Sequence, residues 1–467
     1  MAADELIISF RFPPITDISG IVVGKRIIEN KNRVDVLYNN IDNFNAINVN
    51  LADEYIDERL EVSIDLPRDS VRLIFRFIDE GLEILKSRQV YKSIYSRSWF
   101  MANHFLAAEY KFIHPETFWR AEFSDPVYLD INTGRGKKDK KSRLDNQEYI
   151  DKLNSAIEQY NRNNDIHFKA LENPNNTYFT AEYLTMIFAD ELIFTNPNQR
   201  KVMLESYDEE FRNMVMNKSV IMPHPTPDGE LYHMTESSVE LNDDDINIAY
   251  FGSFYYPARH FEPLFYAFES LNHKYKDKIK FHLYINQSGV LKNLTKDLSF
   301  KDNIIIKKPL EYLEFLNATT KYDVLLINDT ITENIFTVNP YLPSKLSDYL
   351  GSGRDIWAIS EEGSVLSQTD VKYSSSMTDY VQSGDVLVRI LEDYGYGDEN
   401  CSFDEHFYEK RITDLNRVIK DDYDEKNRLR RSNRKLKKEI KSLKAELEEK
   451  EKSSSKRSWN PFKRSKG

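Results

Sequence analysis

A single cysteine, Cys401, stands in a chain of 467 residues. That excludes an internal disulfide and any zinc site built from several thiolates. A basic excess is missing too: the formal net charge is −12, which removes the footprint of a general nucleic-acid binder. No apolar run reaches the ~20 residues a membrane-spanning helix needs. The opening MAADELIISF carries neither a basic leader nor a long apolar stretch and reads as a first strand, not a signal peptide. These absences lead to the expectation of a cytoplasmic protein in a reducing compartment.

Hydrophobic residues make up 40% and aromatics 13%, enough for well-packed cores, while 30% charged residues suit a solvated surface. At this length two or three domains are expected. Short apolar runs alternate with helical patterns from the start. ELIISFRF and RVDVLYNN read as strands around the helix GIVVGKRIIENK, SVRLIFRFIDEGLEILKSR is amphipathic, and KSIYSRS, TFWRAEFSD, ADELIFT and SVIMPHP follow as strands. Polar residues 236–245 read as a linker, after which INIAYFGSF, KFHLYIN, NIIIKKP, DVLLIND and DIWAIS restart the alternation. Such βαβ order implies parallel sheets covered on both faces. The expected fold class is α/β, with two Rossmann-like doubly wound domains, 1–235 and 246–395, facing a cleft.

Beyond them the reading gives a helical segment 396–425, a coiled coil 426–452 and a basic tail 453–467. Leu429, Leu436 and Leu443 are seven apart, with Asn433, Ile440 and Leu447 interleaved, so the leucines fall at d and the others at a. An a-position asparagine favours two strands in one register.

The stretch NPYLPSKLSDYLGSGRDIWAIS, residues 339–360, sets a hydroxyl, a cation and a carboxylate at a helix start: Ser344, Lys345 and Asp348. Free N–H groups beside a lysine suit phosphate. In the same half, Gly252 and Ser253 end a strand and Arg259 lies at the following helix entry, where a guanidinium can pair with a diphosphate. No Asp-x-Asp pair ends a strand there, so no metal site is expected, and no cofactor beyond a donor substrate.

On PPITDISG, SRSWFMANHFLAAEYKFIHPETFWRAEFSDP, ADELIFTNPNQRKVML, IAYFGSFYYPARH and PYLPSKLSDYLGSG, the chain resembles retaining glycosyltransferases of the GT-B fold, family-4 type, over residues 5–395. That resemblance implies transfer of a sugar from a nucleotide diphosphate to an acceptor. It implies that Ser19 and Gly20 form the loop facing the donor phosphates, and that Arg259 and Lys345 neutralise the diphosphate in place of a metal. Ser344 would also hold phosphate, with Gly252 and Ser253 lining the site. Asp348 would match the second of the family's two acids, which bonds the ribose. The first acid would fall at Pro340, and the lysine usual after the Gly252 strand is replaced by the arginine. Where many members place a histidine at the end of a first-domain strand, Asp125 takes the place, with Glu122 a weaker candidate; His104 and His114 read as core or surface residues. Retention would then proceed by same-face attack assisted by the leaving phosphate, catalysis being charge stabilisation and positioning.

The run RGKKDKKSR, residues 135–143, has six basic residues and one acid. It reads either as a solvated loop or as a docking surface for a polyanionic or lipid-linked phosphate acceptor. Trp459 and Phe462 lie among lysines and arginines in a tail suited to anionic membrane at the inner face. Three functions stay open: a transferase building a cell-surface glycopolymer or glycoconjugate, a nucleotide-sugar epimerase, and an inactive scaffold assembling through its coiled coil.

The stripe Leu429, Leu436, Ile440, Leu443 and Leu447 can be buried only against a partner. Full-length protein is expected to be a homo-oligomer, most simply a dimer. A chain ending near residue 420 should scatter light with the mass of a smaller assembly; the same assembly in both would leave the helix to serve a different partner or to project the basic tail.

Overall fold

The computed structural model describes residues 3–15, 17–40, 51–67, 70–138, 140–253, 259–286, 289, 299–398, 401 and 403. Most of the expected helical segment, the coiled coil 426–452 and the basic tail with Trp459 and Phe462 lie outside the described residues. Residues 1–402 form one compact unit that holds both sheets.

In chain order the first half runs β1 (Glu5–Ile8), α1 (Ile18–Asn30), β2 (Val34–Asn39), β3 (Ile56–Val62), α2 (Val71–Leu85), β4 (Ser93–Arg97), α3 (Met101–Ile113), β5 (Phe118–Phe123), β6 (Arg143–Leu144), α4 (Gln147–Asn164), β7 (Asn175–Asn176), α5 (Thr177–Phe188), β8 (Glu191–Phe194), α6 (Pro197–Leu204), α7 (Glu209–Asn217) and β9 (Ser219–Ile221). The second half runs β10 (Ile246–Phe251), α8 (Glu262–Ser270), α9 (His273–Lys276), β11 (Ile279–Tyr284), β12 (Ile304–Lys307), α10 (Tyr312–Thr319), β13 (Val324–Asn328), α11 (Lys345–Leu350), β14 (Asp355–Ser360), β15 (Tyr373–Ser376) and α12 (Tyr380–Asp393).

Strands buried on both faces determine the layers. Every residue of β2, β10 and β13 is buried, as parallel strands between helices require. The first sheet has the order β3-β2-β1-β4-β5-β8-β9, the second β12-β11-β10-β13-β14-β15, and all their pairings are parallel. Each order reverses once, between β1 and β4 and between β10 and β13. Those switch points open crevices at the carboxyl ends of the strands, where doubly wound sheets take ligands.

Several elements escape the sequence pattern. β3 (IDERLEV) is an edge strand whose charged residues face solvent, so it reads as polar. α4 buries only Ile150, Leu153 and Ile157 among eighteen residues, and the stretch between TFWRAEFSD and ADELIFT, to which the sequence pattern assigns no element, contains both it and α5. β15 and α12 close the second sheet's far edge.

Local chemistry sets the helix that matters most. Asp17 caps α1 by accepting from the N–H groups of Ser19 (2.9 Å) and Gly20 (3.4 Å). The helix ends at Lys31 in the left-handed region, φ 56°, with its N–H on Ile27 O. The loop from β1 folds so tightly onto α1 that a Cβ at position 20 would lie 2.5 Å from the Arg11 carbonyl oxygen. Only glycine fits there. Gly20→Ala is expected to cost about 1–3 kcal/mol of overpacking strain, read as a lower urea midpoint with unchanged slope.

Candidate functional site

At the carboxyl edge of the first sheet, Glu122 of β5 is fully buried between two guanidinium groups. Arg26 Nε of α1 donates to it at 3.0 Å, Arg97 Nε of β4 at 2.9 Å, and Tyr95 OH at 3.0 Å. Burial alone would raise its pKa, but Arg26 and then Arg97 hold the carboxyl down at about 2. Arg97 continues outward, giving Nη1 to Ser19 Oγ at 2.8 Å and Nη2 to His224 Nε2 at 3.1 Å. Arg26 Nη2 donates to the carbonyls of Met222 (2.9 Å) and Pro223 (2.8 Å), which fixes the peptide leading into His224. Ser19 and Gly20, expected in a loop, form the first turn of α1, with Ser19 held by Arg97.

Asp125, just past β5, is half-buried. Burial pushes its carboxyl up to about 6, against the pull of Arg97, Lys137 and Arg259. Arg259 belongs to the second sheet's side, so the two expected residues face one field across the crevice. Lys137, in the basic run, also lies 4.8 Å from the Tyr178 ring centroid and draws on Glu182, whose carboxyl burial raises to about 7. The basic run is therefore tied to Asp125 through Lys137.

On the second sheet, β10 ends at Gly252 and Ser253, and the Tyr250 hydroxyl donates to Ser253 O at 3.0 Å. A Cβ at Gly252 would meet that hydroxyl at 2.7 Å. Arg259 Nη2 donates to Thr330 Oγ1 (2.9 Å) at the end of β13. Beside it Asp329 is fully buried, accepting from Ser364 Oγ (2.6 Å) and Glu361 N (3.0 Å), with burial raising its pKa to about 7.

Ser344 precedes α11 with no side-chain cap bond, its carbonyl accepting from Ser347 Oγ at 3.0 Å. Lys345 Nζ lies 3.9 Å from the Phe315 ring centroid and 3.7 Å from Asp348 Oδ2. Asp348, expected as a ribose contact, has protein partners that sequence did not reveal. Lys25 Nζ of α1 donates to its Oδ1 at 3.0 Å and Tyr312 OH does so at 3.0 Å, while Lys25 also bonds Ser347 Oγ at 2.9 Å. Burial opposes ionisation here, but Lys25 and then Lys345 hold the Asp348 carboxyl below the usual range. This buried pair joins the two sheets. Asn196 Nδ2 on Pro340 O (3.0 Å) and Asn198 Nδ2 on Asn339 O (3.0 Å) and Gly363 O (3.1 Å) join them again at α6. Gly134, at φ +63°, packs so close to Ile335 O that a Cβ would come within 2.4 Å.

The structure therefore brings Ser19, Gly20 and Asp125 to one crevice wall, and Gly252, Ser253 and Arg259 to the other; Ser344, Lys345 and Asp348 sit where α11 meets α1. Sequence reasoning missed Lys25, Arg26, Arg97, His224 and Asp329. The signal for the first two was a lysine–arginine pair inside the apolar run of α1, and for His224 a histidine between two prolines at a strand end. Glu122 holds the arginines. His104 is buried against Trp119 and Phe123 with Nδ1 2.8 Å from Ser96 Oγ, and His114 ends α3 against the Tyr110 ring. Among the described residues no three of His, Cys, Asp and Glu group as a metal site, and no helix is long and apolar enough to cross a membrane.

Among solved structures, sucrose-phosphate synthase from Thermosynechococcus elongatus superposes with a TM-score of 0.55 at 13% identity, covering 84% of this chain and 90% of that one. The chain has the GT-B fold. Anabaena HepE in complex with UDP-glucose gives a TM-score of 0.51 at 10% identity, with 84% and 90% covered. A glycosyltransferase from Rickettsia africae gives 0.50 at 10%, again covering 84% and 90%. No protein-family model matches the sequence, and no curated protein matches it. At these identities the likeness fixes the GT-B architecture alone, and the chemistry has to be argued from the side chains.

The acid response of the site follows from Glu122. Its folded pKa, about 2, lies below the unfolded value, so its stabilisation is complete above that value and is lost as pH falls through the folded one. The amount is roughly 3 kcal/mol. Urea midpoints of the wild type should fall steeply between about pH 5 and pH 2, while Glu122→Gln starts lower and declines less. Parallel declines would place the acid lability in other carboxylates.

Proposed function

We propose that this chain is a glycosyltransferase that moves a sugar from a nucleotide diphosphate to a cell-surface glycopolymer, glycoprotein or lipid-linked acceptor, with retention of configuration. The observation that carries the reading is the placing of Asp125 just past β5 and of Arg259 on Thr330 just past β13, at strand carboxyl ends of the two halves and near enough for the guanidinium to draw on the carboxyl. Arg259 and Lys345 stabilise the diphosphate as charge develops on the leaving group, in place of a metal. Ser19 and Gly20 in the first turn of α1, with Gly252, Ser253 and Ser344, line the phosphates. Both hydrogen bonds to the Asp348 carboxylate fall on Oδ1, so Oδ2, beside Lys345 at 3.7 Å, is the oxygen offered to the ribose. Asp125, with a pKa near neutrality, bonds a hydroxyl of the reacting sugar, and the leaving phosphate takes the acceptor's proton on the same face. The basic run 135–143, tied to Asp125 through Lys137, suits a polyanionic acceptor at the inner membrane face.

A second reading has its own observation. Pro340 stands where the resemblance expects an acid, and its carbonyl is bonded by the fully buried Asn196. A scaffold that keeps the fold without turnover would look like this. A screen of labelled nucleotide sugars separates the two. Hydrolysis or transfer by the wild type that persists in EDTA, and falls about 10²–10³-fold in Arg259→Ala and in Lys345→Ala, is the expected result. Turnover restored only by manganese overturns the metal-free assignment. Sugar-nucleotide binding without turnover favours the scaffold.

A further inference from the structure

Hydrogen-bond accounting around Arg97 leaves atoms that the protein itself does not use. Arg97 donates from all three guanidinium nitrogens, to Glu122, Ser19 Oγ and His224 Nε2. A guanidinium only donates, so His224 Nε2 accepts and the ring proton is on Nδ1. A second ring proton would set donor against donor beside a fixed cation, and burial, then Arg97, push the imidazole pKa down to about 3. The tautomer is therefore locked by its neighbour. His224 is 9% exposed, and its Nδ1 has no hydrogen-bond partner among the described residues.

Two more donors are left over nearby. Ser19 Oγ receives a bond from Arg97, and its own hydroxyl hydrogen has no acceptor among the described residues. Lys25 Nζ gives one hydrogen to Asp348 and one to Ser347, which leaves a third. The charged groups acting on the imidazole are Arg97, Glu122, Lys25 and Arg26, and Glu122 is itself saturated by its two arginines and Tyr95. Donors without acceptors, in a field dominated by three cations, fit an oxyanion. They do not fit a sugar hydroxyl, which asks for acceptors as well.

We propose that His224 Nδ1–H and the Ser19 hydroxyl each bind an anionic phosphate oxygen of the substrate. On the transferase reading above, on which this identification of the ligand rests, those oxygens belong to the donor's diphosphate. The imidazole acts as a neutral donor, so it contributes direction without adding a charge that Arg97 would repel. Arg97 is the positioning residue. Its fork points Ser19 and His224 from one rigid plane, and Glu122 holds that plane still.

The experiment is calorimetric titration of the full chain with UDP, GDP, ADP and inorganic pyrophosphate, repeated on three variants of His224. Asparagine places its amide nitrogen at the Nδ1 position and loses the acceptor for Arg97. Glutamine places its amide oxygen at the Nε2 position, keeping that acceptor and losing the Nδ1 donor. Phenylalanine loses both. His224→Asn should bind within about threefold of the wild type, while His224→Gln and His224→Phe weaken binding about tenfold or more, the scale of one bond to a charged group. Equal weakening in all three would mean that His224 only supports Arg97, and would overturn the proposal; so would unchanged binding in His224→Gln. If the wild type takes pyrophosphate but none of the three nucleotides, and His224→Gln weakens it, the oxyanion site stands and the nucleotide-sugar reading falls. Failure to bind any of the four overturns the proposal. Should His224→Gln not fold, Ser19→Ala replaces it, with a weakening of about tenfold expected and none overturning the proposal.

Discussion

One buried carboxylate between two guanidinium groups organises the carboxyl edge of the first sheet. Removing a charge from water costs several kcal/mol, and an unpaired Glu122 in this position would unfold its surroundings. The cost is offset because Arg26, Arg97 and Tyr95 fill the carboxylate's directions with hydrogen bonds of 2.9–3.0 Å. Each partner brings a different piece of chain. Arg97 carries the end of β4 and reaches Ser19 and His224; Arg26 carries α1 and grips the backbone after β9 through Met222 and Pro223. A lysine in place of either arginine would be a point charge with no such fork, and could not hold three elements at once.

The second half attaches through the same helix. Lys25, next in sequence to Arg26, points the other way and ends on Asp348 and Ser347 of α11. Around that pair stand aromatic side chains: Tyr312 bonds the carboxylate, Tyr232 OH bonds Asp348 O at 2.5 Å, and Tyr349 OH receives Phe251 N–H at 3.1 Å from the end of β10. The junction is buried and directional. The asparagines of α6 add a neutral contact in which side-chain amides read backbone carbonyls, independent of salt.

The architecture was legible because parallel strands buried on both faces appear as unbroken apolar runs, and short stretches such as IAYF or VLLI between turn residues suit a core strand far better than a surface element. What stayed hidden has physical reasons. β3 pairs on one side only, and its Glu58 and Arg59 reach Arg88 and Asp53 in ion pairs at the surface, so its composition resembles a loop. α4 is held by three apolar residues and a cap at Asn146, too thin a stripe to stand out. At the site, strand-end positions such as Asp125 and Gly252 could be read, since topology puts ligands there. Partnerships could not. Lys25 and Asp348 are 323 residues apart and Arg26 and Glu122 are 96 apart, and a charged pair on a helix ordinarily faces water.

Helix α1 has a mechanical meaning that neither end shows alone. Ser19 and Lys25 are six residues apart on one continuous helix, about 9 Å of rigid rod at 1.5 Å per residue. Both ends are bolted to the first sheet, one by Arg97 through Ser19 and the other by Glu122 through Arg26, and Lys25 adds the link to Asp348 in the second half. Any parting of the halves must therefore break either the lysine's contact or the arginine's. One helix turn thus carries both attachments, so the halves cannot separate without stripping a buried ion pair of its partner.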